Sequence, residues 1–191
     1  MGRDNGTIGA AATADGLVSF YEYSQVDRRR LTKQAAPGFL VTAAQSQLLL
    51  AEAAQRGWVT TGSAKTYYDA GVKAHMEQLS TYDPAAAVPA ASIQPYLDAN
   101  PFSPATAFQQ INTQYWIASF LNGTEAWSNF RRSGFPALPA NPYVGDIPAG
   151  TFIRRITYPV SELSANTTNV NEAIARQGAD KMDTRVWWDK P

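Results

Sequence analysis

Apolar residues recur at intervals of three and four through four stretches of this chain, the spacing of one buried helical face. The first stretch opens at Thr42-Ala43-Ala44-Gln45 as a capping box, in which the threonine hydroxyl and the glutamine amide satisfy each other's free backbone donors. It continues through Leu48, Leu49, Ala51, Glu52 and Ala53 to about Arg56, with alanines small enough to let a second helix approach closely. Gly57 stops it, and Trp58 is expected to pack beyond the end. Ser63 then caps a second helix through Leu79, with Tyr68, Val72, His75 or Met76, and Leu79 on its inner face. The short turn between the two predicts an antiparallel hairpin.

Prolines 84, 89, 95 and 101 interrupt the next stretch, from Ser80 to Ser103, and predict a long surface excursion without regular structure. Tyr82, Tyr96 and Phe102 lie on it and are the candidate ligand-binding residues, as an exposed aromatic platform. Packing of these rings back onto the helices is the alternative. Ser103-Pro104 opens a third helix through Phe108, Ile111, Tyr115, Ile117 or Ala118, and Leu121.

The fourth stretch, Asn122 to Pro136, is the densest. Asn122-Gly123 reads as a turn into a helix whose first turn holds Glu125, and whose last turn holds Arg131 and Arg132, charges placed to suit the helix dipole. Gly134 ends it and Pro136 redirects the chain. Trp127 and Phe130 share one face and are expected to fill a seam between hairpins, so that Trp127→Ala costs about 3–5 kcal/mol. Arg131 and Arg132 are expected to hold Glu125, Glu162 and helix-end carbonyls, tying this helix to the Arg154 region. Helix, turn and helix at 103–136 repeats the plan of 42–79, a tetratricopeptide-like arrangement.

Outside the helices the pattern is thinner. Residues 1–40 form an irregular N-terminal segment, with one possible strand at 17–23 and a solvated basic run at 27–33. Phe152 to Tyr158 alternates imperfectly and ends at Pro159, as a short edge strand would. Asn166, Asn169 and Asn171 make a capping-rich turn ahead of a helix at Glu172, stopped by Gly178. The fold class is therefore mainly α, helical hairpins with long irregular loops and little strand, with residues 41–191 as the helical region.

Composition narrows the function. Sixteen basic against sixteen acidic residues leave no net field for a polyanion, which argues against nucleic acid as a partner. The chain has no cysteine, hence no disulfide, thiolate metal site or cysteine nucleophile. His75 is the single histidine, and Asp69 and Glu77 lack the helical spacing to join it at a metal, so a structural histidine is preferred and no metal or cofactor is expected. Glu125 and Glu162 are the one carboxylate pair to weigh for glycoside hydrolysis, and both have structural uses. No nucleophile elbow, P-loop or dinucleotide fingerprint appears, so the reading is non-enzymatic.

The run QYWIASFLNGTEAWSNFRRSGFPAL, followed by GTFIRRITYPVSELSANTTNVNEA and the closing Trp187-Trp188-Asp189, resembles the SusD/RagB family. The helix LLLAEAAQRGW is similar to that family's Ala-Glu-Ala-rich tetratricopeptide helix. The resemblance covers about Val41 to Asp189. It implies the C-terminal portion of a longer lipoprotein, held on the outer-membrane surface by an N-terminal lipid anchor absent from this sequence. It further implies capture of an oligosaccharide or other nutrient, a TonB-dependent SusC-like transporter as partner, and no catalysis. Within this reading Trp187 or Trp188 offers a second sugar-stacking face, with at most one of them exposed. A tetratricopeptide-like scaffold for protein partners, without sugar binding, is the alternative.

Overall fold

A computed structural model describes residues 16, 18–138 and 151–189. Among them are seven α-helices and no strand: α1 Ala43–Gln55, α2 Ala64–Gln78, α3 Ala90–Ala99, α4 Ala107–Ala118, α5 Gly123–Ser133, α6 Val160–Ala165 and α7 Thr167–Gln177. The caps of α1 and α2 are those the residues prescribe, whereas Ser103 makes no side-chain cap bond: Pro104–Thr106 is a 3-10 turn and α4 begins at Ala107. Thr42 Oγ1 accepts from Gln45 N at 3.1 Å while Thr42 N donates to Gln45 Oε1 at 2.9 Å, and Ser63 Oγ accepts from Thr66 N at 3.0 Å. Gly57 and Gly134 each take φ 75°, the left-handed conformation that glycine adopts without strain, just past α1 and α5.

The core lies where α1, α2 and α4 meet. Ala44, Leu48 and Ala51 of α1 face Tyr68 and Val72 of α2 and Ala107, Ile111, Tyr115 and Ala118 of α4. Small residues on α1 allow the close helix approach that the pattern predicted, and α5 continues the stack by packing on α4. The two helix pairs thus form the expected succession of hairpins.

Several expectations are corrected. The proline-rich stretch is not structureless: α3 forms across Pro95. An interior proline removes one hydrogen bond and crowds the carbonyl four residues before it, at about 3 kcal/mol. Burial of Ile93, with Tyr96 and Leu97 packed on the core, offsets that cost in so short a helix. Phe152 to Tyr158 forms no strand. Arg154 N and Arg155 N both donate to one carbonyl, Met182 O, at 2.6 and 3.1 Å, and Tyr158 N is bound to the Asp180 carboxylate at 3.2 Å, so no ladder can propagate. Residues 20–22 are a single 3-10 turn where a strand was expected. The last helix starts at Thr167, so Asn169 and Asn171 lie within it, both exposed, while Val170 between them is buried. In the α4–α5 turn the left-handed residue is Leu121, φ 68°; Asn122 is the cap of α5 and Gly123 its first residue.

Trp127 does not fill a core seam. It is 37% exposed, stacked on Phe130 at 6.0 Å between centroids, with Phe130 set edge-on to Phe152 at 5.1 Å. The residue that α5 buries is Asn129. Trp127→Ala is accordingly expected to cost about 1–2 kcal/mol in chemical denaturation, below the range for a core aromatic.

Candidate functional site

One face of α4 is apolar and makes the core. A neighbouring stripe is built from amides and hydroxyls: Thr106 at the cap, then Gln109, Gln110, Thr113 and Gln114. With Tyr68 of α2 and the Asn100-Pro101 corner after α3, this stripe encloses a cleft of about 420 Å³.

The walls are fixed by their own hydrogen bonds. Gln110 clamps the corner, its Nε2 donating to Pro101 O at 3.0 Å and its Oε1 accepting from Ser103 N at 2.7 Å. Gln114 Nε2 donates to the Tyr96 hydroxyl at 3.2 Å, and Asn100 Nδ2 donates to Tyr96 O at 2.9 Å. Phe102 packs on Tyr68 at 5.2 Å between ring centroids. Burial, with Tyr96 alongside, pushes the Tyr68 phenol above its ordinary pKa, so it remains neutral. The side chains of Thr106, Gln109 and Thr113 have no hydrogen-bond partner among the described residues. A cleft with a pre-set frame and uncommitted amide and hydroxyl groups suits a ligand rich in both donors and acceptors.

The three aromatic candidates part company here. Tyr96 and Phe102 do not line this cleft; half-buried against the core, they brace its wall, Tyr96 through Gln114 and Phe102 through Tyr68. Tyr82 lies elsewhere, edge-on to Phe39 at 5.1 Å, lining a second cavity of about 270 Å³ with Gln45, Gln78 and Asn122. Sequence reasoning missed Gln109, Thr113 and Gln114. Their signal was available as a run of amides and hydroxyls beside the Ala107, Ile111, Tyr115 stripe.

The Asn122–Pro136 motif is a structural joint. Asn122 Oδ1 accepts from Glu125 N at 3.3 Å, and Glu125 accepts from the Tyr115 hydroxyl at 2.7 Å. Burial and that carboxylate hold the Tyr115 phenol far above its usual pKa. The arginines do not pair with Glu125 or Glu162. Arg132 donates to both carboxylate oxygens of Glu52, at 2.7 and 2.8 Å, and to Asn112 and Asn129 Oδ1 at 2.9 and 3.0 Å. Arg131 is ion-paired with Asp189 at 3.5 Å and lies over the Trp188 ring at 4.5 Å. Glu125, seven residues before Arg132 on the same helix, acts on it only through longer-range charge, because the guanidinium is taken up by Glu52. Glu162 is bound instead by Asn166 Nδ2 at 3.0 Å. The tie to the Arg154 region runs through Asp189, which Arg154 and Arg185 also contact, at 3.2 and 2.9 Å. Phe135–Pro136 is a cis peptide.

His75 is half-buried, and desolvation lowers its pKa. Among the described residues no three His, Cys, Asp or Glu side chains are grouped to hold a metal.

A family model described as "Starch-binding associating with outer membrane", the SusD-like model, matches residues 2–159. Solved structures are similar as well. A "chitin-binding protein" shares 42% identity at a TM-score of 0.71, over 82% of this chain and 34% of its own. A "Bacteroidetes AC2a SusD-like" structure shares 31% at 0.73, over 97% and 38%. A chitin-binding SusD homolog from Flavobacterium johnsoniae shares 32% at 0.61, over 79% and 36%. The chain therefore spans little more than a third of the length of these relatives. No curated protein matches it.

Proposed function

The chain belongs to the SusD-like family, and on that premise we propose that it is the sugar-binding part of a non-catalytic, cell-surface nutrient-capture protein acting with a TonB-dependent SusC-like transporter in the outer membrane. The observation that carries this reading is the amide-lined cleft on α4, where Gln109 and Thr113 present uncommitted polar groups beside Tyr68, with Tyr96 and Phe102 bracing the wall through Gln114 and Tyr68. The ligand is an oligosaccharide, with acetamido-bearing β-linked chains as in chitin the first choice. A primary amide has both donors and an acceptor, so it pairs equally with an acetamido group and with a sugar hydroxyl. Two relatives named as chitin-binding support that choice.

The non-catalytic reading is supported by the family match, and the two carboxylates weighed for hydrolysis each have a structural partner, Glu125 on α5 with Tyr115 and Glu162 on α6 with Asn166. The family description supports the outer-membrane setting. Among the described residues no helix is long and apolar enough to cross a membrane. Tyr82, at the separate Phe39 cavity, is the remaining candidate contact.

Calorimetry with chito- and malto-oligosaccharides tests the reading directly. Gln109→Ala is expected to weaken binding by about three- to tenfold, the equivalent of one or two neutral hydrogen bonds, with an unchanged melting temperature because the side chain supports nothing in the fold. Unaltered affinity would remove the cleft from the site. Failure of any glycan to bind, together with no transporter co-purifying with the protein, would overturn the function.

A further inference from the structure

Trp58, expected to pack beyond α1, is 73% exposed. It is nonetheless held in place. With Gly57 in the left-handed conformation, Trp58 N donates to Ala53 O at 2.9 Å and closes the helix end. The Arg56 guanidinium lies 5.2 Å from the Trp58 ring centroid and 4.8 Å from that of Phe108. Arg56 is itself pinned, its Nε and Nη2 donating to Glu52 Oε1 at 3.1 and 2.9 Å. The fold thus orders an indole on a fixed cation and leaves most of the ring in water, forgoing the burial that stabilises most tryptophans. Arg56 Nη1 has no partner among the described residues.

The position of this ring relates it to the cleft. Phe108 immediately precedes Gln109 on α4, about 100° round the helix axis. Gln109 lines the cleft and Phe108 lies against Arg56, so the cleft and the Trp58 ring flank consecutive residues of α4 on different faces of the helix.

We propose that Trp58, with Arg56 and Phe108, forms a second sugar subsite that takes a further pyranose ring of an oligosaccharide whose other end occupies the amide cleft. The C–H face of the sugar stacks on the open face of the indole, whose negative π surface attracts it, and Arg56 Nη1 donates to a ring hydroxyl. This subsite rests on the carbohydrate-binding reading above.

The test compares affinities for chitobiose and chitohexaose by calorimetry on the full chain. The native protein is expected to bind the hexaose at least tenfold more tightly. In Trp58→Ala that ratio is expected to fall to about twofold, and in Trp58→Phe, which keeps a ring, to an intermediate value. Thermal unfolding of both variants should match the native protein, since the ring is largely exposed; if Trp58→Ala does not fold, the drop in Trp58→Phe decides. A native hexaose-to-biose ratio near one, or an undiminished ratio in the variants, overturns the subsite while leaving the cleft in place. Absence of binding to either sugar by the native protein overturns the underlying reading and the subsite with it.

Discussion

Truncating Leu48 to alanine is expected to cost about 2–5 kcal/mol in chemical denaturation, and Gly71→Ala a further 1–2 kcal/mol on its own, with the double variant losing less than the two together. Leu48 is fully buried at 0% exposure, in the middle of the α1–α2 contact. A Cβ placed on Gly71 would lie 2.7 Å from Leu48 Cγ and 3.2 Å from the Ala44 carbonyl oxygen. Glycine in a helix interior forgoes up to about 1 kcal/mol relative to alanine. Overpacking wins over that gain because neither neighbour can yield: the Leu48 side chain is enclosed, and Ala44 O belongs to the first turn of a helix. Removing the leucine opens the space that the added methyl needs, so the favourable coupling should be at least about 0.5–1 kcal/mol. Strict additivity would mean that close approach is not what keeps glycine at position 71.

This contact also marks what was readable from the sequence. The caps at Thr42 and Ser63 and the stops at Gly57 and Gly134 are local chemistry, decided within four residues, and each forms as written, while Asn122, read as part of a turn, caps α5. The apolar faces of α1, α2 and α4 follow from spacing alone. Long-range choices were not legible. Nothing near Arg132 marks Glu52, eighty residues away, as its partner, and nothing distinguishes the exposed Trp58 from the partly covered Trp127, since exposure depends on which elements arrive later. Helix α3 is not legible from proline density, because only Pro95 of the four prolines falls inside it. The cleft is not legible from the aromatic candidates Tyr96 and Phe102, which pack inward, because its uncommitted polar groups come from a glutamine- and threonine-rich stripe.

Arg132→Ala should be the most damaging change on the polar side of the fold, at about 2–4 kcal/mol. Glu52 is 5% exposed and accepts from Arg132 at both oxygens and from Arg56 at one. Breaking a buried pair by removing one partner costs about 3–5 kcal/mol because the other charge is left in the interior. The figure here is set lower because Arg132 is itself half-exposed and Arg56 remains. The reverse variant, Glu52→Ala, should cost less, since the surviving guanidinium can reach water. Acidity separates the two contributions. Desolvation raises the Glu52 pKa, but hydrogen bonds and charge from Arg132 and then Arg56 outweigh it and hold the carboxyl below 4.5. A group with its pKa depressed by folding contributes stability that is complete above its unfolded value and is lost as pH falls through the folded one. Native stability should therefore decline as pH drops below about 4.5 through this group, and the decline should be shallower in Arg132→Ala, where less of the depression remains. Equal acid dependence in the two proteins, measured by urea denaturation between neutral and acid pH, would show that the pair does not anchor α5 to α1. The same Glu52 also fixes Arg56 beneath Trp58, so Arg132→Ala loosens one support of the exposed indole while leaving the amide stripe of α4 untouched.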